Sequence, residues 1–219
     1  MIPGERLRTM ILDSRHAEVL VIAACAIASL EARPNLDPNR PRDYLKPMTV
    51  RTILTAPDPL LKAVAKDVAK VDGEVRRLID DMLQTMYDAD GIGLAADQIG
   101  VAKRVIVMDL DQKDGKRNPR AFVNPRIVWA SEELATFEEG CLSVPEIWED
   151  VERPARIQAE YLDRDGKKQV LEADGLLADC LQHEMDHLDG ILFIDHLSRL
   201  KRSIALRKLA KAKRLKETG

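Results

Sequence analysis

The chain has 219 residues, with 34 Lys+Arg against 37 Asp+Glu, for a formal net charge of −3. That length reads as one domain with an appendage. The 45% hydrophobic content excludes a chain disordered throughout, and an odd cysteine count of three excludes a disulfide framework. No apolar run reaches the roughly 18 residues of a membrane span. Net acidity and only 4% aromatic residues count against nucleic-acid binding over the whole surface. The charge is uneven, however. Residues 199–219 hold nine Lys or Arg and one Glu, a net +8, so the other 198 residues carry −11.

Residues 1–47 differ in texture from the rest. A short apolar run (17–30) follows several basic residues, and a proline-rich stretch without periodicity (34–47) reads as a linker. Three readings of this extension compete: a start assigned upstream of a working Met48, a short extra helix, or a secretory leader. From Met48 onward the pattern is that of a folded domain. Residues 72–88 place Val75, Leu78, Ile79, Met82, Leu83 and Met86 at helical spacing. Gly91 and Gly93 then interrupt the helix. Residues 104–110 are rich in β-branched side chains and predict a strand, with further strands over 119–130 and 133–138. Two β-like runs, 156–162 and 168–172, flank Asp163-Arg164-Asp165-Gly166 and predict a hairpin. Residues 175–189 predict a helix with Asp174 as N-cap and Gly190 as stop. A strongly basic helix over 196–216 closes the chain, its packed side expected to carry Leu200, Ile204, Leu206, Leu209, Ala210 and Leu215. Strands bounded by helices without strict alternation give an α+β class.

His183-Glu184-Met185-Asp186-His187 carries the strongest chemical signal. Residues four apart stack on one helix face, so His183 and His187 can grip one ion. Glu184 projects from the flank, placed to take a proton from water whose pKa a divalent metal has lowered toward ~7. A catalytic metal usually takes three protein ligands. Cys141, in a Gly-containing turn after a strand-like run, is a better third ligand than His16 or His196. Cys180 falls in the apolar stripe of the helix and reads as a core cysteine, and Cys25 lies in the extension. Gln98 gains interest only because an acyl-hydrolysing site needs a donor for a developing oxyanion. Glu139 is a candidate to orient a ligand histidine. Asp186 is a candidate partner for Arg153, tying the strand after the cysteine to the metal helix.

Three motifs occur in order: G-I-G-L-A-A-D-Q (91–98), E-G-C-L-S (139–143) and Q-H-E-M-D-H (182–187). Together they strongly resemble peptide deformylase from about Met48 to Gly219, a resemblance that implies an α+β fold of mixed or antiparallel strands around a central HExxH metal-binding helix. The resemblance implies a metal-dependent amidohydrolase that removes the N-terminal formyl group from formyl-methionyl nascent chains and releases formate. It implies one divalent metal, iron(II) by preference with zinc, nickel or cobalt able to substitute, held by Cys141, His183 and His187. By motif position Glu184 moves protons, Gln98 and the Leu142 N–H polarise the formyl oxygen, and Gly93 lines the substrate. It further implies a cytoplasmic monomer without membrane contact, whose basic C-terminal helix meets the ribosome near the exit tunnel. Two departures stand out. Trp148 falls where many family members carry Arg. Asp179 falls where the family often has an aliphatic or small residue. They keep open an enzyme acting on another N-acyl peptide. A catalytically silent ribosome-binding module is the alternative of a different class.

Overall fold

The computed structural model describes residues 48–112 and 116–217, apart from the side chains at 213 and 215–217. The N-terminal extension 1–47 lies outside the described residues, as does the side chain of Leu215 on the last helix. Among the described residues no helix is long and apolar enough to cross a membrane.

The first helix, α1 (Gly73–Asp88), forms where its apolar spacing predicts. Asp72 caps it by accepting from the Val75 N–H at 3.0 Å. The glycines do not stop it. The helix ends before them, with Asp90 in the left-handed region (φ 53°). The Asp90 and Gly91 N–H groups return to the Tyr87 and Met86 carbonyls at 3.2 and 2.9 Å. This is the reciprocal closure that usually uses glycine at the turn. The expected break at Gly93 is instead the start of a short strand, β1 (Gly93–Ala95), followed by a 3₁₀ turn over Ala96–Ile99.

Next come β2 (Val105–Met108), β3 (Arg120–Ala130), β4 (Leu134–Cys141), β5 (Val144–Pro154), β6 (Arg156–Leu162) and β7 (Lys168–Asp174). All the pairings between named strands are antiparallel. One sheet runs β1-β2-β3-β6-β7, and β4 with β5 forms a separate two-stranded sheet. The expected α+β class holds, and the 156–172 hairpin turns at Gly166 (φ 79°). β5 is the strand expected after the cysteine to carry Arg153, which the sequence-based expectation left without bounds.

The sheet is covered on both faces. Along β2, Val105 and Val107 pack with Val75, Ile79, Met82 and Met86 of α1. Ile106 and Met108 point the other way, onto Leu181, Met185 and Leu188 of the second helix, α2 (Gly175–Leu188). Alternation along one strand thus serves two helices. Asp174 occupies the N-cap position of α2, but its side chain makes no capping hydrogen bond. β7 runs straight into the helix through Gly175 (φ 52°). Gly190 (φ 72°) ends it as expected. The Gly190 and Ile191 N–H groups close on the His187 and Asp186 carbonyls, at 3.0 and 2.9 Å. α2 is buried nearly all round, because it lies between the five-stranded sheet and the β4–β5 hairpin.

The last helix, α3 (Arg199–Glu217), starts three residues later than expected, after a 3₁₀ turn at Phe193–Asp195. Its packed side also differs. Ala205 and Leu209 are buried against Leu192, Phe193, Ile194 and Ile147, whereas Leu200 and Ile204 stand in solvent at 69% and 42% exposure. Residues 205 and 209 share one stripe, and positions 200 and 204 lie roughly 140° around the helix from it on average.

Candidate active site

Two elements deliver the candidate ligand set. Cys141 ends β4 at a two-residue hairpin tip, where it pairs with Val144 across Leu142-Ser143. His183 and His187 face it from successive turns of α2. The Cys141 sulfur lies 3.2 Å from His187 Nε2, and the nearest ligand atoms of Cys141, His183 and His187 all fall within 4.8 Å of one another. Tetrahedral coordination at ordinary bond lengths separates such atoms by about 3.4–3.6 Å. The cluster therefore fits one ion.

The surrounding groups fix the ligands. Glu139, two residues before Cys141 on β4, holds His183 Nδ1 at 2.6 Å and leaves Nε2 for the cluster. Arg153 on β5 grips both oxygens of Glu139, at 2.6 and 3.1 Å, and reaches Asp186 at 2.7 Å. Both anticipated contacts, Glu139 with a ligand histidine and Arg153 with Asp186, are present. Burial disfavours the charged Glu139, but His183 and Arg153 outweigh it and bring its pKa from 4.5 to about 2. The two histidines diverge. Burial opposes charge on His183, yet the hydrogen bonds to Cys141 and Glu139 raise its pKa well above the usual value. Burial, aided by His183, drives His187 well below it.

Glu184 lies beside these ligands with one buried carboxyl oxygen, Oε2, that has no hydrogen-bond partner. Burial pushes its pKa to about 7. Gly93 of β1 abuts it, since a Cβ there would come 2.4 Å from Glu184 Oε1 and 3.1 Å from the Cys180 sulfur. We expect Gly93→Ala to fold but to turn the carboxylate away, lowering kcat by about 10²-fold or more. Steady-state kinetics beside a thermal melt would check this.

Gln98 is oriented by its backbone surroundings. Its Oε1 accepts from the Ala95 N–H at 2.8 Å, so its amide nitrogen faces Ser143 Oγ (3.1 Å) and the Cys141 sulfur (3.5 Å). Ser143 had no role in the sequence-based expectation. Its N–H donates to the Cys141 sulfur at 3.4 Å, and its side chain is fully buried. Asp97, another group without an expected role, is a buried acid behind His187. Being the single charged residue of the 91–98 motif was the only sign of it. Burial, then the nearby Glu184, pushes its pKa to about 8.

Gln98, Gly93, Leu142, Cys141, His183 and Glu184 all border one cleft of about 450 Å³. Trp148 lies on its rim, 65% exposed, with its ring against Gly140, where a Cβ would sit 2.5 Å away. Asp179 is on the wall, 6% exposed and 3.9 Å from Arg153 Nε. Burial followed by the neighbouring Glu139 raises its pKa to about 6. Cys180 also borders the cleft but stands outside the ligand trio, and burial keeps its thiol well above the usual pKa.

Residues 50–203 match the family model described as polypeptide deformylase. The chain belongs to the peptide deformylase family. It is 60% identical over 164 residues to the peptide deformylase of Phenylobacterium zucineum, covering 75% of this chain and 97% of that one. Among solved structures, the Legionella pneumophila peptide deformylase has 47% identity and a TM-score of 0.72, covering 78% and 99% of the two chains. The Ehrlichia chaffeensis peptide deformylase in complex with actinonin has 43% identity and a TM-score of 0.72, covering 76% and 99%. Peptide deformylases are hydrolases of protein biosynthesis that remove N-terminal formyl groups. Their dependence on a metal agrees with the Cys/His/His cluster here.

Proposed function

We propose that this deformylase hydrolyses formyl-methionyl nascent chains through Glu184, Gln98 and Leu142, with iron(II) held by Cys141, His183 and His187. The observation that carries the assignment is a Cys141/His183/His187 cluster at one cleft together with an unpartnered Glu184 oxygen and an oriented Gln98 amide. A divalent ion bound by the trio supplies a Lewis acid and a water of lowered pKa. Glu184 accepts the proton of the attacking water and returns it to the nitrogen of the departing amine. The Gln98 Nε2–H and the Leu142 N–H donate to the formyl oxygen as it gains charge. Gly93 leaves room for the substrate backbone beside Glu184. Zinc, nickel and cobalt suit the same donors, so the choice of iron rests on the family resemblance. Formate release from formyl-Met-Ala-Ser by anaerobically prepared, iron-loaded protein tests the reading. No formate with any of the four metals would overturn it.

The buried acid Asp179 on the cleft wall is the one observation favouring a different N-acyl substrate, and a side-by-side comparison of formyl and acetyl peptides separates the two. A silent module is not favoured, because the proton carrier, the oxyanion donor and all three ligands stand together.

We also place the enzyme in the cytoplasm as a monomer that meets the ribosome through α3. The exposed Lys208 and Lys211 support this, while Lys201 and Arg202 already pair with Glu149 and Asp195 of the body at 2.7 and 2.8 Å. Because α3 buries Ala205 and Leu209, cutting it off would open the core, and charge reversal is the cleaner test. Lys208→Glu with Lys211→Glu should leave hydrolysis of a short formyl peptide unchanged and weaken ribosome co-sedimentation several-fold, with a shallower salt dependence.

A further inference from the structure

The two ligand histidines differ in what stands behind them. Glu139 backs His183 at 2.6 Å. His187 turns Nε2 to the Cys141 sulfur, so its Nδ1 points away from the ligand cluster. The acid on that side is Asp97, with Oδ2 3.8 Å from Nδ1. Neither Asp97 oxygen nor His187 Nδ1 has a hydrogen-bond partner, and all three atoms are sealed from solvent. The amides of Asp97 and Gln98 polarise the carboxyl without reaching hydrogen-bond geometry. Buried polar atoms in native proteins are rarely left unpaired, and three facing one another across one gap define a hydrogen bond waiting to be made.

We propose that Asp97 is the positioning residue for His187, accepting its Nδ1–H when Nε2 engages the metal. A neutral imidazole that ligates through Nε2 must carry its hydrogen on Nδ1. Closing the gap to ordinary hydrogen-bond length takes a movement of about 0.8 Å. A carboxyl oxygen accepts this hydrogen whether or not the acid is ionised. Each histidine then has its own acid, Glu139 for His183 and Asp97 for His187. The backbone turn that presents Gln98 to the cleft also sets the second imidazole.

The inference rests on the ligand assignment above, and the experiment separates the two. Metal-free protein is titrated with Zn²⁺ against a competing chelator, for wild type, Asp97→Ala and Asp97→Asn. Asp97→Ala should weaken Zn²⁺ about 10–100-fold, while the metal-free protein melts no lower than wild type, since unpaired atoms have been removed. Asp97→Asn keeps an acceptor oxygen and should stay within a few-fold of wild type. Nitrogen-15 histidine spectra of Zn²⁺-loaded wild type should show a slowly exchanging His187 Nδ1 proton. Wild-type affinity in Asp97→Ala, or a freely exchanging Nδ1 proton, overturns the role of Asp97 and leaves the ligands standing. Failure of wild type to bind Zn²⁺ overturns both.

Discussion

Glu184→Gln should lose about 10³-fold or more in kcat/KM while still binding one metal per chain. The substitution preserves shape and removes only the ability to accept and return a proton. Cys141, His183 and His187 are untouched, and Glu139 still holds His183. Loss should fall on kcat, because the proton moves as the tetrahedral species forms and collapses. Metal analysis of the purified variant beside its kinetics checks both halves. A variant that loses its metal along with its activity would make Glu184 a structural support for the ligands and end its assignment as proton carrier.

Arg153→Met should be the most damaging change outside the ligand set. The guanidinium is 6% exposed and faces Glu139, Asp186 and, at 3.9 Å, Asp179. Without it three acids crowd one buried space. Breaking a buried pair from one side typically costs about 3–5 kcal/mol. The pH dependence follows from the sign of the Glu139 shift. Its folded pKa is depressed from 4.5 to about 2, so it adds stability above its unfolded pKa that fades as pH falls toward 2. In the variant that contribution shrinks or reverses, because the carboxyl now protonates readily. The stability gap between wild type and variant should therefore be wide at pH 7 and narrow progressively as pH falls below about 4.5 toward 2. Urea midpoints across that range would measure it. A gap that does not change with pH would mean that lost packing, and not charge, sets the cost.

Much of this was legible beforehand because period and spacing report on helices. α1 announced itself through the positions from Val75 to Met86. The spacing of His183, Glu184 and His187 assigns them to one helix from sequence alone. Even the Arg153–Asp186 pair could be anticipated as complementary charges near the ligands. The strands were harder. β1 is three residues long and too short to show alternation. β5 opens Val144-Pro145-Glu146 and carries further acids, because a two-stranded ribbon keeps much of its length in water. Spacing gave the packed side of α3 only in part: Leu209 is buried and Leu206 packs against the core, but Leu200 and Ile204 are exposed. The tight contact is made by Ala205, whose small side chain lets the helix come close, while the larger Leu200 stays outside. Asp97 had no periodic signature at all, since its importance comes from a neighbour 90 residues away.

Among the described residues the β4–β5 ribbon shares no strand pairing with the main sheet, although the Ala56 N–H donates to the Ser143 carbonyl at its tip at 2.9 Å. Two antiparallel strands alone are marginal in water. The ribbon is clasped by Cys141 at its tip, the Glu139–Arg153 pair along its length, and an apolar patch beneath it. An ion gripped by Cys141 and both histidines would therefore rivet the ribbon to α2. Stripping it should loosen one cooperative unit while the rest stays shut. Hydrogen–deuterium exchange should quicken across 134–154 in the metal-free protein and leave 105–108 protected. The same ion that serves the chemistry would then decide whether the cleft has a wall.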